Sequence, residues 1–237
     1  MILFLRLLLA HFLADFVFHG DILFRLKEKS KYKGYGLHAI VYFLCLLVLC
    51  WPYLNMHWFN LGPLAFNGWF SIILLVAAHI AVDNMNSGDD NGYERGNFIT
   101  FLLWQIVAIL FLFFIAPIMP PLPSDQVFLN NENFLIGLNG AFFVTTFFVI
   151  FLYLLEKSLS GENALLFEAK YLGIAYRLAL YLLLLIPSFI GYILAAVWVG
   201  VICFLKHPRS FSELSLRFTL GTVFTVVVAI FVRFLVY

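Results

Sequence analysis

From residue 2 almost to the C-terminus, the chain is a succession of apolar runs, each close to 20 residues long, with nearly all of its charge gathered in the short segments between them. A bilayer core of about 30 Å is crossed by roughly 20 helical residues. Each buried backbone N–H and C=O must also find a partner within its own segment or barrel. Runs of this length therefore predict α-helices that cross a membrane. They read approximately as 2–24, 36–54, 67–86, 97–117, 134–155, 171–186, 189–205 and 214–236.

Composition excludes the main alternative. Hydrophobic residues make up 64% of the chain and charged residues 11%, with a mean hydropathy of +1.00. That is far from a water-soluble domain of this length. The formal net charge of +1 offers no basic surface for nucleic acid, and none is expected as a partner. The expected fold is an all-α, polytopic transmembrane helical bundle of about eight spans, in two halves, 1–117 and 118–237. No soluble domain, long linker, low-complexity stretch or internal repeat interrupts it.

The stretch 171–205 decides between seven and eight spans. It is too long for one crossing at 1.5 Å per residue and barely long enough for two. Ile186-Pro187-Ser188 supplies a break, because proline lacks a backbone donor and disfavours helix at the residue before it. Loop charge agrees. Arg25, Lys27, Lys29, Lys31 and Lys33, against Glu28, should hold the first loop in the cytoplasm and the N-terminus outside. Eight crossings then also put Lys206, Arg209 and Arg217 on the cytoplasmic side, whereas seven put them outside.

The N-terminal MILFLRLLLAHFLADF has the apolar character of a signal peptide. No small-residue cleavage site follows, and His11 and Asp15 within it argue for a retained helix. Cys45, Cys50 and Cys203 lack the paired spacing of a metal knuckle or disulfide framework and are expected to pack as small hydrophobes.

Ionisable residues inside a span cost at least about 2.5 kcal/mol near its centre and are normally turned toward a partner or a water-filled cavity. In the first span His11 and Asp15 are four residues apart, on one helical face, with His19 a further turn along. His38 opens the second span. In the third, His79 and Asp83 repeat the His-x-x-x-Asp spacing near the cytoplasmic end, so the two pairs can meet at similar depth. This nitrogen and oxygen set suits zinc, manganese or iron, with His11, Asp15, His79 and Asp83 as ligands and His38 as fifth ligand or general base. Two other readings use the same residues: a hydrogen-bonded clamp between helices, and a proton or ion relay.

Other polar groups carry less. Asp89, Asp90 and Glu94 form an acidic turn that departs from the EF-hand pattern. His57 lies among Trp51, Trp58 and Phe59, as in an interfacial aromatic belt, and His207 adjoins Pro208 in a basic loop. The lysine-rich first loop can also attract anionic lipid headgroups. No heme, nucleotide or quinone motif is present.

AHFLADF, LHAIVY and AHIAVD, in that order, resemble a bacterial integral-membrane family catalogued as domain of unknown function 3307. AKYLGIAYRLAL, IGYILAAVWVGVICF and LRFTLGTVF resemble that family's later helices. The resemblance implies a bacterial cytoplasmic-membrane location. It also exposes departures: an Asp-Gln-x-x-His element of the fourth helix reads Trp104, Gln105, Ala108 here, and a Glu and a Lys of later helices are replaced by Tyr176 and Val197.

The expected function is a divalent-metal centre within the bilayer that hydrolyses a lipid or lipid-linked phosphate or ester. The rivals are a non-catalytic subunit, with a membrane-protein partner or a second copy, and an ion-coupled transporter. Membrane lipids are expected contacts in every case.

Overall fold

The computed structural model describes residues 1–18, 26, 29–61, 63–86, 98–116, 129–160, 170–205 and 211–237. His19, Arg25, Lys27, Glu28, the acidic turn at 87–97, the proline-rich stretch after Ala116 and the loop with Lys206, His207 and Arg209 lie outside them. The fold is an all-α helical bundle. Among the described residues Tyr32–Tyr53, Phe98–Ile115, Glu132–Glu156 and Phe218–Val236 are long and apolar enough to cross a membrane, and Gly68–Asn84, Tyr171–Leu185 and Phe189–Phe204 are shorter apolar helices. The chain divides into two compact units, Met1–Leu135 and Ile136–Tyr237.

In the first unit, α1 (Ile2–Phe12) runs without glycine or proline into a single π turn, Leu13–Val17. Leu3, Leu7, Ala10 and Ala14, on one stripe, are buried, and so are Leu5, Leu9 and Phe12 around the rest of the helix. A helix apolar all round is one enclosed by others. It packs on α2 (Lys31–Cys50) and α4 (Phe98–Ile115). On α2 the buried residues His38, Tyr42, Leu46 and Leu49 recur every three or four positions, while Ile40, Leu44 and Val48 face outward. An outward face of large apolar residues is what lipid, rather than water, accommodates. Arg6 ties the two helices together: its Nη1 donates to the Leu49 carbonyl at 2.6 Å, and its guanidinium lies 5.4 Å from the Tyr53 ring.

Pro52 sits in the 3₁₀ turn Trp51–Tyr53 that ends α2. The segment between the second and third apolar runs is then largely an antiparallel hairpin, β1 (His57–Leu61) and β2 (Leu64–Asn67), with Phe59 opposite Phe66. The Trp58 indole donates to the Tyr53 carbonyl at 2.9 Å. A Cβ on Gly68 would come within 2.7 Å of Leu54 Cα, so this close return of the chain requires glycine. From there α3 (Gly68–Asn86) buries Ile72, Leu75 and His79 on one stripe. The packing of α3 on α2, and of both α1 and α3 on α4, positions the site.

The second unit begins within α5 (Glu132–Phe142), which runs through another π turn, Phe143–Phe147, into α6 (Phe148–Ser160). There Thr145 and Thr146 bond back to the carbonyls of Ala141 and Phe142. Arg177 of α7 (Lys170–Leu185) donates Nε–H to Val144 O at 2.9 Å. A π turn displaces the helical ladder, and the arginine meets one of its carbonyls. After the break at 186–188 comes α8 (Phe189–Leu205). The Trp198 indole donates to the Tyr176 carbonyl at 3.3 Å. Residues equidistant from Pro187 therefore face each other, and α7 and α8 form an antiparallel hairpin, as the proline predicted. The final helix, α9 (Phe211–Val236), packs on α7.

All three cysteines are free. Cys50 is buried and Cys45 half-buried, but Cys203 is exposed on α8, which corrects the expectation that all three pack in the core.

Candidate metal centre

His11 closes α1, and Asp15 sits in the π turn that follows, where their four-residue spacing places His11 Nδ1 3.5 Å from Asp15 Oδ2. His38 lies two turns into α2 and His79 just past the middle of α3. All three histidines are buried. The side chain of Asp15 is 12% exposed and that of Asp83 24%, so Asp83 is the accessible edge of the group.

The centre of the cluster is a triangle of atoms from three helical segments. His38 Nε2 is 3.0 Å from His79 Nε2, His79 Nε2 is 3.1 Å from Asp15 Oδ1, and His38 Nε2 is 3.4 Å from Asp15 Oδ1. Asp83 Oδ2 lies 3.5 Å from His38 Nε2. His11, Asp15 and His79 offer ligand atoms within 4.8 Å of one another, and so do His38, His79 and Asp83. These groups can hold a metal ion. Around a tetrahedral zinc with bonds of about 2.0–2.1 Å, ligand atoms are about 3.3–3.4 Å apart. The observed edges of 3.0–3.4 Å define a circle of radius about 1.8 Å, smaller than that bond length, so one ion can touch all three atoms. The donor set therefore fits a divalent ion in both chemistry and spacing.

Aromatic packing fixes the rings. Tyr42, one turn beyond His38, lies 4.4 Å from the His79 ring at an interplanar angle of 36°, and His11 meets His79 edge-on at 5.6 Å. From α4, Gln105 Oε1 stands 3.0 Å from His11 Nε2. The Tyr35 hydroxyl approaches the Asp83 carbonyl at 3.5 Å. His57 is exposed on β1 and does not belong to either group of candidate ligands.

The structure thus brings together the five residues singled out from spacing, His11, Asp15, His38, His79 and Asp83. His19 lies outside the described residues. Sequence reasoning missed Tyr42 and Gln105 as members of the site. Tyr42 was within reach of it, being four residues after His38 on the same helical stripe. Arg6 was also passed over, although an arginine inside an apolar span belongs to the same costly class as His11.

A family model described as "Protein of unknown function (DUF3307)" matches residues 3–136, more than half of the chain. The chain belongs to the DUF3307 family. The DUF3307 match contains all five cluster residues together with Tyr42 and Gln105, and the later helices fall beyond it. No curated protein and no solved structure matches the chain. Of the three positions in the fourth-helix element, Trp104 and Ala108 depart from the expected residues, while Gln105 is the one that reaches the cluster.

Proposed function

We propose that the first unit is a divalent-metal site within the cytoplasmic membrane of a bacterium. His38, His79 and Asp15 form its core, and His11 and Asp83 complete it. The observation that carries this reading is the triangle of His38 Nε2, His79 Nε2 and Asp15 Oδ1, with edges of 3.0, 3.1 and 3.4 Å. Zinc, manganese or iron suits such a set. The basic first loop supports a cytoplasmic side for the His38 end of α2.

The chemistry proposed for the site is hydrolysis of a lipid or lipid-linked phosphate or ester. A bound divalent ion would supply a water acidified toward neutral pH. His38 takes a ligand's place rather than a general base's, because its Nε2 faces three other candidate ligand atoms within 3.5 Å. Asp83, the most exposed of the cluster carboxylates, is then the group placed to accept the water's proton. Large apolar side chains on the outer faces of α2 and α4 support membrane lipids as the surroundings and source of substrate.

One observation favours a second reading. The 3.0 Å separation of His38 Nε2 and His79 Nε2 is itself hydrogen-bond distance. The cluster can therefore act as a clamp joining α1, α2 and α3, in a chain that serves as a subunit beside a membrane partner or a second copy. A relay in an ion-coupled transporter would need a polar path onward from Asp83.

Titration of metal-free protein with Co²⁺ separates these readings. The metal reading expects intense visible bands of low-coordinate cobalt that saturate at one equivalent and are lost in His38→Ala/His79→Ala. Bands no stronger than those of hydrated cobalt, unchanged by the double substitution, would refute it.

A further inference from the structure

Of the four described helices long and apolar enough to cross a membrane, α4 is the most apolar. An amide is an expensive residue there unless it reaches a partner. Gln105 does so: its carbonyl oxygen stands 3.0 Å from His11 Nε2. A carbonyl oxygen carries no hydrogen, so the ring nitrogen must be the donor. In neutral imidazole a proton on Nε2 leaves Nδ1 with a bare lone pair. That lone pair faces Asp15 Oδ2, itself an acceptor, at 3.5 Å, and the His11 side chain is fully buried. Two acceptors turned on each other away from water need a proton or a metal cation between them.

We infer that Gln105 is a positioning residue, which holds His11 in the Nε2–H tautomer so that Nδ1 is presented to a metal ion alongside Asp15. Histidines that bind metals normally donate their second ring N–H in this way, which fixes both tautomer and ring orientation. The inference rests on the proposed metal site for the role of Nδ1. The tautomer itself is observable without any metal. The rival is that Gln105 only fastens α4 to α1, with no influence on the ring's protonation pattern.

The test uses full-length protein labelled with ¹⁵N-histidine in detergent micelles, first metal-free and then titrated with Zn²⁺. Long-range ¹H–¹⁵N correlations read the tautomer, and loss of the signal in His11→Asn assigns it. In wild-type protein the Nε2–H form should exceed the Nδ1–H form by about tenfold. Gln105→Glu, which keeps an acceptor, should preserve that preference, whereas Gln105→Leu should bring the two forms close to equality. Zinc affinity should fall about 10–100-fold in Gln105→Leu and stay within about threefold of wild type in Gln105→Glu.

A predominant Nδ1–H form in wild-type protein overturns the inference. So does a Gln105→Leu protein with unchanged tautomer and affinity. If wild-type protein shows the Nε2–H form and takes up no zinc, the metal reading falls, and with it the ligand role of Nδ1, while the tautomer assignment stands.

Discussion

Asp15→Asn distinguishes a metal centre from a hydrogen-bonded clamp by how its cost depends on metal. The carboxylate touches three imidazoles, at 3.1 Å from His79, 3.4 Å from His38 and 3.5 Å from His11. Polar contacts between membrane helices average about 0.6 kcal/mol each; with the same figure taken for the i,i+4 contact to His11, all three together are worth about 2 kcal/mol. Asparagine keeps the shape and one acceptor oxygen, and should lose roughly half of that, about 1 kcal/mol. A bound metal adds a term the clamp lacks. At a free concentration 100 times Kd, binding stabilises the folded state by about 2.7 kcal/mol. If the carboxylate is a ligand, the gap between wild type and Asp15→Asn should be about 1 kcal/mol in chelator and approach 4 kcal/mol in saturating zinc. SDS titration in mixed micelles, followed by tryptophan emission, measures that gap under both conditions. The same gap with and without zinc would refute the assignment of Asp15 as a ligand.

Three further predictions address the support of the site and the path of the chain. Tyr42→Phe keeps the ring that lies on His79 and should leave metal binding within about threefold of wild type, whereas Tyr42→Ala should destabilise the first unit by about 3–5 kcal/mol in the same unfolding assay. Gly191→Ala places a Cβ 2.7 Å from the Leu183 carbonyl oxygen and 2.9 Å from that of Ile186. Such a clash with backbone should cost about 1–3 kcal/mol, and an Ala variant as stable as wild type would contradict the tight α7 to α8 turn. Single cysteines at Lys33 and Tyr237, in a background lacking the native three, should label from opposite sides of sealed vesicles. Labelling from the same side would contradict eight crossings.

Much of this architecture was legible because a bilayer imposes simple demands. Apolar runs of fixed length gave the helices, and Pro187 gave the break between α7 and α8, which the Tyr176 to Trp198 contact bears out. The convergence of His11, Asp15, His38, His79 and Asp83 was readable for the same reason: charged groups in apolar spans have few places to go. Details set by packing were not readable. Nothing in the apolar stretch AFFVTTFF distinguishes a π turn at 143–147 from regular helix, because the switch depends on where the ladder shifts and on Arg177 reaching Val144 O. The hairpin at 57–67 was read as a loop, although Gly62-Pro63 is a turn signal between two short runs containing Phe59 and Phe66. Tyr42, one turn past His38, and Gln105, the retained member of the fourth-helix element, were in view, but an aromatic or amide in an apolar span acquires a role only once its neighbour is known.

Elemental analysis of the purified protein decides whether this cluster binds a divalent metal. Protein prepared without added metal, then exchanged against metal-free buffer, should retain close to one equivalent of zinc, manganese or iron, and His38→Ala/His79→Ala should retain almost none. Less than about a tenth of an equivalent in wild-type protein, equal to that in the double variant, would contradict it.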